Sequence, residues 1–229
     1  MYELHIANKN YSSWSLRPWV LLRELDIPFI EHQHYFRPAS DLTDPFNRFS
    51  PSGLVPALND DGVTIWDSLS IAEYVYESHP SVWPADKKAR AFARSVAAEM
   101  HSGFTSLRSL CGMNCGLRIR LNETPPALLH DFERIDSLWQ TGLERFGGPY
   151  LAGPEFTAAD AFFCPVAFRV QTYGLKLSEA SSAYVQRLLD LKSMQIWYAS
   201  ALREEARDLA HEEEAAASGT LLADHRVSG

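Results

Sequence analysis

Hydrophobic and polar positions change their spacing once along this chain, near residue 80. Before it, short alternating runs trade places with helical stretches; after it, apolar residues recur every three or four positions. Tyr2, Leu4 and Ile6 alternate with Glu3 and His5, the pattern of a half-buried strand. Leu16, Val20, Leu21 and Leu25 then recur at helical spacing, and Phe29 to Tyr35 predicts a second strand after the stop at Asp26-Ile27-Pro28. Phe36 to Pro45, punctuated by Pro and Asp, is expected to be a loop with at most a short helix. Val55-Pro56-Ala57-Leu58 and Val63-Thr64-Ile65 flank Asn59-Asp60-Asp61-Gly62, which predicts an antiparallel hairpin. A helix follows from about Ser68 through Val75. This order predicts a small α/β domain over residues 1–79.

His79-Pro80-Ser81-Val82-Trp83-Pro84-Ala85-Asp86 has two prolines and no periodicity, so residues 80–86 are the expected linker. Residues 87–210 read as all helix. Phe92, Val96, Met100, Phe104 and Leu107 form one stripe on a long helix, and Phe132, Ile135, Trp139, Leu143 and Phe146 form another. A third runs from Thr157 through Phe168, and a fourth from about Tyr184 to Met194. Residues 211–229 are small and polar, which predicts a frayed helix and a disordered tail.

The composition narrows the partners. With 21 basic against 29 acidic residues the net charge is −8, which argues against nucleic acid. No apolar run is long enough for a bilayer, and Met1-Tyr2-Glu3-Leu4-His5 lacks a basic-then-apolar leader, so a cytoplasmic protein is expected. Cys111, Cys115 and Cys164 are an odd count and read as small buried thiols rather than disulfides or a zinc site. His32 and His34 share a strand face but fit a half-exposed strand, and no metal is assigned to them.

Chemistry concentrates in Tyr11-Ser12-Ser13-Trp14-Ser15-Leu16-Arg17-Pro18. A strand that turns through hydroxyls into a helix presents orphan N–H groups and a positive dipole end to an anion. Pro18 is expected in the first turn, so the helix should begin near Ser15 with Ser15 as its cap. That leaves Ser12 and Ser13 in the loop, either for a ligand or as ordinary turn residues. At Val55-Pro56 an X-Pro bond can be cis at ~0.5–1 kcal/mol, and Val55 would then offer its backbone to an extended peptide-like ligand. An ordinary trans proline at an edge strand is the alternative. In Trp66-Asp67-Ser68 an acidic side chain can grip an ammonium while Ser68 and a helix N-terminus hold a carboxylate; a plain helix start is the alternative.

Together these three sites resemble the cytosolic glutathione transferases over about residues 1–205. The resemblance implies a thioredoxin-like α/β N-terminal domain, an all-α C-terminal helical domain and a homodimer. It implies glutathione as co-substrate, with Val55-Pro56 on its cysteinyl backbone, Asp67-Ser68 on its γ-glutamyl group, and Trp14 and Leu54 beside it. Thr157-Ala158-Ala159-Asp160 is similar to the family's structural capping box. The hydroxyl loop looks most like the zeta class, whose Ser-Ser-Cys-x-x-Arg pattern falls on Ser12, Ser13, Trp14 and Arg17, with Trp14 in place of the cysteine.

By that match Ser12 would hydrogen-bond the glutathione sulfur, with Ser13 second and Tyr11 third. A hydroxyl suffices energetically. Bringing a thiol from pKa ~8.5 to ~6.5 takes about 2.7 kcal/mol; a hydrogen bond to a charged acceptor supplies ~1.5–3 and a helix N-terminus ~0.3–2. Met100, His101, Phe104 and Arg108 are the expected electrophile contacts, with Gly103 opening space among them; for Met100 and Phe104 a core role competes, and for Arg108 a surface pair. The expected activity is addition of glutathione to a small electrophile. Alternatives are an isomerase of the maleylacetoacetate type and a non-catalytic binding protein; a thiol-disulfide reductase would need a cysteine in the Ser12 loop, and none is present.

Overall fold

Leu4 and Ile6, fully buried on one face of strand β1 (Tyr2–Ile6), anchor the N-terminal half. The computed structural model describes residues 1–37 and 46–227, so residues 38–45 of the expected Phe36–Pro45 loop lie outside the described residues. β1 leads through a turn into α1 (Ser13–Glu24), then β2 (Phe29–Gln33), β3 (Ala57–Asp60), β4 (Val63–Trp66) and α2 (Ser68–Ser78). The sheet order is β2-β1-β3-β4, with β1 parallel to β2 and antiparallel to β3. The β3–β4 turn places Asp61 at φ 49° and Gly62 at φ 87°, as a two-residue hairpin with an Asp-Gly turn requires. This is the expected thioredoxin-like half.

The start of α1 differs from the sequence expectation. Ser12 is the N-cap and the helix begins at Ser13, so Pro18 is its sixth residue and Ser15 lies in the first turn. Pro18 has no N–H for the Trp14 carbonyl, but its helix buries Leu16, Trp19, Val20 and Leu22 completely, which offsets the lost bond.

After a short 3₁₀ turn (Pro80–Val82), the helical half runs α3 (Lys87–Ser102), α4 (Thr105–Leu110), α5 (Pro126–Phe146), α6 (Ala158–Tyr173), α7 (Glu179–Leu189), α8 (Lys192–Arg203) and α9 (Leu209–Ser218). The expected single stripe from Phe92 to Leu107 is split between α3 and α4. Gly103 caps α3, and Phe104 adopts φ 54°. A Cβ on Gly103 would stand 2.8 Å from the Glu99 carbonyl oxygen, so this glycine permits a helix end and does not open substrate space. The helix expected over Tyr184–Met194 is likewise two helices, parted at Asp190-Leu191. α6 is buried on nearly every side, and its capping box forms as read: Thr157 N donates to Asp160 Oδ2 (3.0 Å). Asp160 Oδ1 also accepts from Leu151 N (2.9 Å) and Tyr184 Oη (2.8 Å).

Two further expectations are corrected. The helical half contains a β-ribbon, β5 (Leu117–Leu121) antiparallel to β6 (Gly219–Asp224). The tail expected to fray instead forms α9 and β6, because Leu117 and Ile119 of β5 face the core and leave an edge for it to pair. Gly219 is the residue that allows the close pairing, since a Cβ there would meet the Arg120 carbonyl oxygen at 2.2 Å. Among the described residues no helix is long and apolar enough to cross a membrane.

Candidate functional site

A cavity of about 600 Å³ lies between the two halves, and the hydroxyl loop forms one wall. The loop is tightly held before it reaches the cavity. Glu204 accepts from Lys9 N (2.5 Å) and Asn10 N (3.0 Å), and Ser12 N donates to Asn8 O (2.8 Å). Ser12 Oγ donates to Ser15 Oγ (2.7 Å), which also accepts from Ala7 N (3.2 Å). Ser13 Oγ accepts from Arg169 Nη2 (3.3 Å) on α6. Both serines line the cavity at the N-terminus of α1, where the helix dipole favours negative charge.

Leu54, Val55 and Pro56 form the next part of the wall, and the Val55-Pro56 bond is cis. Asp67 and Ser68 continue it at the start of α2. Asp67 holds φ 75°, rare for a residue with a Cβ, and its Oδ1 caps the helix by accepting from Leu69 N (2.8 Å). Its other oxygen, Oδ2, lies 3.4 Å from His101 Nε2. Ser68 Oγ accepts from Arg17 Nη1 (3.4 Å). Asp67 therefore serves as both a helix start and a cavity carboxylate.

The far wall is cationic. Arg108 and Arg169 line it, and fully buried Arg17 sits behind Trp14 with its guanidinium 4.1 Å from that ring. Burial lowers the Arg17 pKa to about 9, with Arg169 and Arg108 adding to the effect and Asp67 opposing it. Burial lowers Arg169 to about 10. Both remain charged at neutral pH. Among the described residues none of the three arginines forms an ion pair, and the Nε atoms of Arg17 and Arg169 have no hydrogen-bond partner. Positive charge gathered on one wall of the cavity, with no carboxylate paired to these arginines, suits an anionic ligand.

Of the residues expected to meet the electrophile, only Arg108 lines the cavity. Met100 and Phe104 are buried in the core at 1% and 6% exposure, so their apolar stripe was structural. His101 stands behind the wall, its ring edge-on to Trp14 at 5.2 Å, and burial holds its pKa below the ordinary value. Tyr11 reaches the cavity, but its hydroxyl donates to Glu212 Oε1 (2.6 Å), and burial followed by that carboxylate pushes its pKa well up. Sequence reasoning missed Arg169, whose signal was a charge within the apolar run Phe162–Val170. It also missed His211 and Glu214, which α9 carries to the cavity rim.

Known proteins are similar to this chain in both sequence and fold. The family model described as glutathione S-transferase, N-terminal domain, matches residues 11–78. Rat maleylacetoacetate isomerase is 26% identical over 189 residues, covering 80% of this chain and 86% of the rat protein. Mouse glutathione S-transferase theta-1 is 33% identical over 150 residues, 62% of each chain. A Burkholderia glutathione transferase homolog, solved with bound glutathione, superposes with a TM-score of 0.65 at 23% identity, covering 87% of this chain and 97% of that one. The hydroxyl loop, the Val55-Pro56 turn and the Asp67-Ser68 helix start all fall within the 11–78 segment that matches the glutathione S-transferase N-terminal domain, and over most of its length the chain is similar to maleylacetoacetate isomerases and to a zeta-class glutathione S-transferase.

Proposed function

We propose that this protein binds glutathione along Val55 and Asp67-Ser68, stabilises its thiolate through Ser12, and directs it at a small electrophile carrying a carboxylate. The observation that carries the reading is the arrangement of one cavity: hydroxyls and a helix N-terminus at one wall, Arg108 and Arg169 at the other. Ser15 Oγ accepts two hydrogen bonds and keeps a proton of its own. When a thiolate arrives, Ser12 turns its proton to the sulfur and Ser15 donates to Ser12 in its place. Each member of such a chain polarises the next. Ser13, held by Arg169, is the second hydroxyl. Asp67 Oδ2 takes the γ-glutamyl ammonium, and Ser68 with Arg17 behind it takes the carboxylate.

The cationic wall favours one alternative within the class, a glutathione-dependent isomerase acting on an acidic substrate, since negative charge that develops on such a substrate would lie between Arg108 and Arg169. Relatives named maleylacetoacetate isomerase support it, whereas Trp14 replaces the cysteine of the zeta pattern. The test is Ser12→Ala and Ser13→Ala, each assayed for glutathione affinity, thiolate absorbance and turnover. Ser12→Ala should keep glutathione binding and lose the thiolate signal. Unchanged turnover in both variants overturns the mechanism. Homodimerisation and a cytoplasmic location belong to the same proposal, and sedimentation of the purified protein tests the first.

A further inference from the structure

The outer face of the four-stranded sheet carries a group of side chains that glutathione chemistry leaves unused. In sequence, His32 and His34 lack a third ligand; the parallel pairing of β1 with β2 supplies it. His5 stands opposite His32 in the register, on the face away from Leu4 and Ile6. The two rings stack with centroids 4.8 Å apart and planes 16° apart. Glu3, two residues before His5 and so on the same face, brings Oε2 to 3.3 Å from His32 Nε2. One ligand atom from each of Glu3, His5 and His32 lies within 4.8 Å of the other two.

Two more observations point to a ligand. His32 Nε2 is shut off from solvent, and its close polar neighbour Glu3 Oε2 does not complete a hydrogen bond with it, leaving a buried nitrogen of the kind native structures rarely leave unsatisfied. His34 Nε2 lies 3.0 Å from His5 Nδ1. One of these nitrogens donates and the other accepts; with His5 as donor, its ring keeps the opposite nitrogen as a lone-pair ligand and is fixed in orientation. Phe49 stacks on both His5 (4.2 Å) and His34 (4.3 Å) and holds the rings in place.

We propose that Glu3, His5 and His32 bind a divalent transition-metal ion of the zinc class, with His34 orienting His5. Two imidazoles and a carboxylate suit zinc, whereas magnesium and calcium prefer all-oxygen sites. Zinc–nitrogen bonds of ~2.0–2.1 Å require the three ligand atoms to draw in. The His32 and Glu3 side chains are 39% and 46% exposed and have room to do so. The ion would tie β2, an edge strand of the sheet, to β1, which leads into the hydroxyl loop. This inference stands apart from the glutathione reading.

The test uses the full chain, free of any affinity tag and stripped with a chelator. It is titrated with zinc by calorimetry and with cobalt(II) by visible absorption. One ion per chain is expected, without competition from magnesium or calcium. His32→Ala and Glu3→Gln should each weaken zinc by at least about tenfold, and His34→Ala by about 10–100-fold, with glutathione binding unchanged. Glu3→Gln is isosteric and exposed, so it keeps the test readable if a histidine variant folds poorly. Absence of stoichiometric zinc binding in the wild type overturns the proposal. So does wild-type affinity in the variants, which would place the ion elsewhere, for example at His211 and Asp208.

Discussion

Arg169 Nη2 lies 3.3 Å from Ser13 Oγ, joining the middle of α6 to the first residue of α1 inside the cavity. The guanidinium also donates to the Cys111 carbonyl, so its plane is fixed from both ends. A fixed, buried cation beside a hydroxyl favours a negatively charged electrophile over a neutral one. Arg169→Gln should therefore lower kcat/KM for a carboxylate-bearing electrophile by about 10–100-fold, the equivalent of losing a charge-assisted hydrogen bond of ~1.5–3 kcal/mol. For a neutral aryl halide the fall should stay under about threefold, since that contact is absent from its transition state. Parallel assays with the two substrates decide it; equal losses would mean that Arg169 acts through structure alone.

Tyr11 presents the opposite case, a hydroxyl at the cavity whose proton is committed. Its bond to Glu212 ties the hydroxyl loop to α9. Tyr11→Phe should leave the thiolate absorbance of bound glutathione intact and lower the melting temperature. Loss of that absorbance in Tyr11→Phe would transfer the sulfur contact from Ser12 to Tyr11.

What the sequence made legible is what local patterning controls. The β1 alternation, the Asp61-Gly62 hairpin and the Thr157–Asp160 capping box each depend on residues within a few positions, and all three form. The wall proposed to hold glutathione was found for the same reason, since Ser12, Val55, Asp67 and Ser68 each sit at a local turn or helix start and line one cavity. On the opposite wall only Arg108 was found. Arg169 meets Ser13 across 156 residues, and Glu212 meets Tyr11 across 201, so neither partner is marked by spacing. Met100 and Phe104 misled because an apolar stripe at helical period looks the same whether it faces a core or a pocket. The β5 strand had a readable signal in Leu117, Ile119 and Leu121 alternating with Arg118 and Arg120; the helical surroundings obscured it.

The C-terminal segment should loosen in acid. Burial opposes ionisation of Glu212, but hydrogen bonds from Arg226 and Tyr11 outweigh it and hold its pKa below the ordinary 4.5. Asp224, bonded to the same Arg226, is held below 3.8. For a carboxyl group with a depressed folded pKa, stabilisation is complete above the unfolded value and lost as pH falls through the folded one. The contacts from α9 and β6 should thus be intact above about pH 5 and fail progressively below about pH 4. Hydrogen exchange of amides in 209–224 at pH 7 and pH 3.5 would show it, and Glu212→Gln should remove much of the difference. Pronounced acid loosening that persists unchanged in Glu212→Gln would assign the effect to other groups.

Glu204, at the end of α8, governs the hydroxyl loop from a distance. It is 7% exposed and accepts from Lys9 N, Asn10 N and Gln33 Nε2. Truncation in Glu204→Ala leaves two buried backbone amides without acceptors, and each unsatisfied group costs about 1–3 kcal/mol. A loss of ~2–6 kcal/mol lowers the melting temperature of a chain this size by roughly 4–24 °C. Because Asn10 stands two residues before Ser12, the freed loop should also weaken glutathione binding, which requires the serines and the α1 amides in register. Asp160→Ala, which unpins the α6 cap far from the loop, serves as the control: a comparable melting shift with less change in the glutathione affinity of the folded fraction. Glutathione titration of both variants well below their melting temperatures separates the effects. Equal affinities in the two would show that Glu204 stabilises the fold without positioning the site.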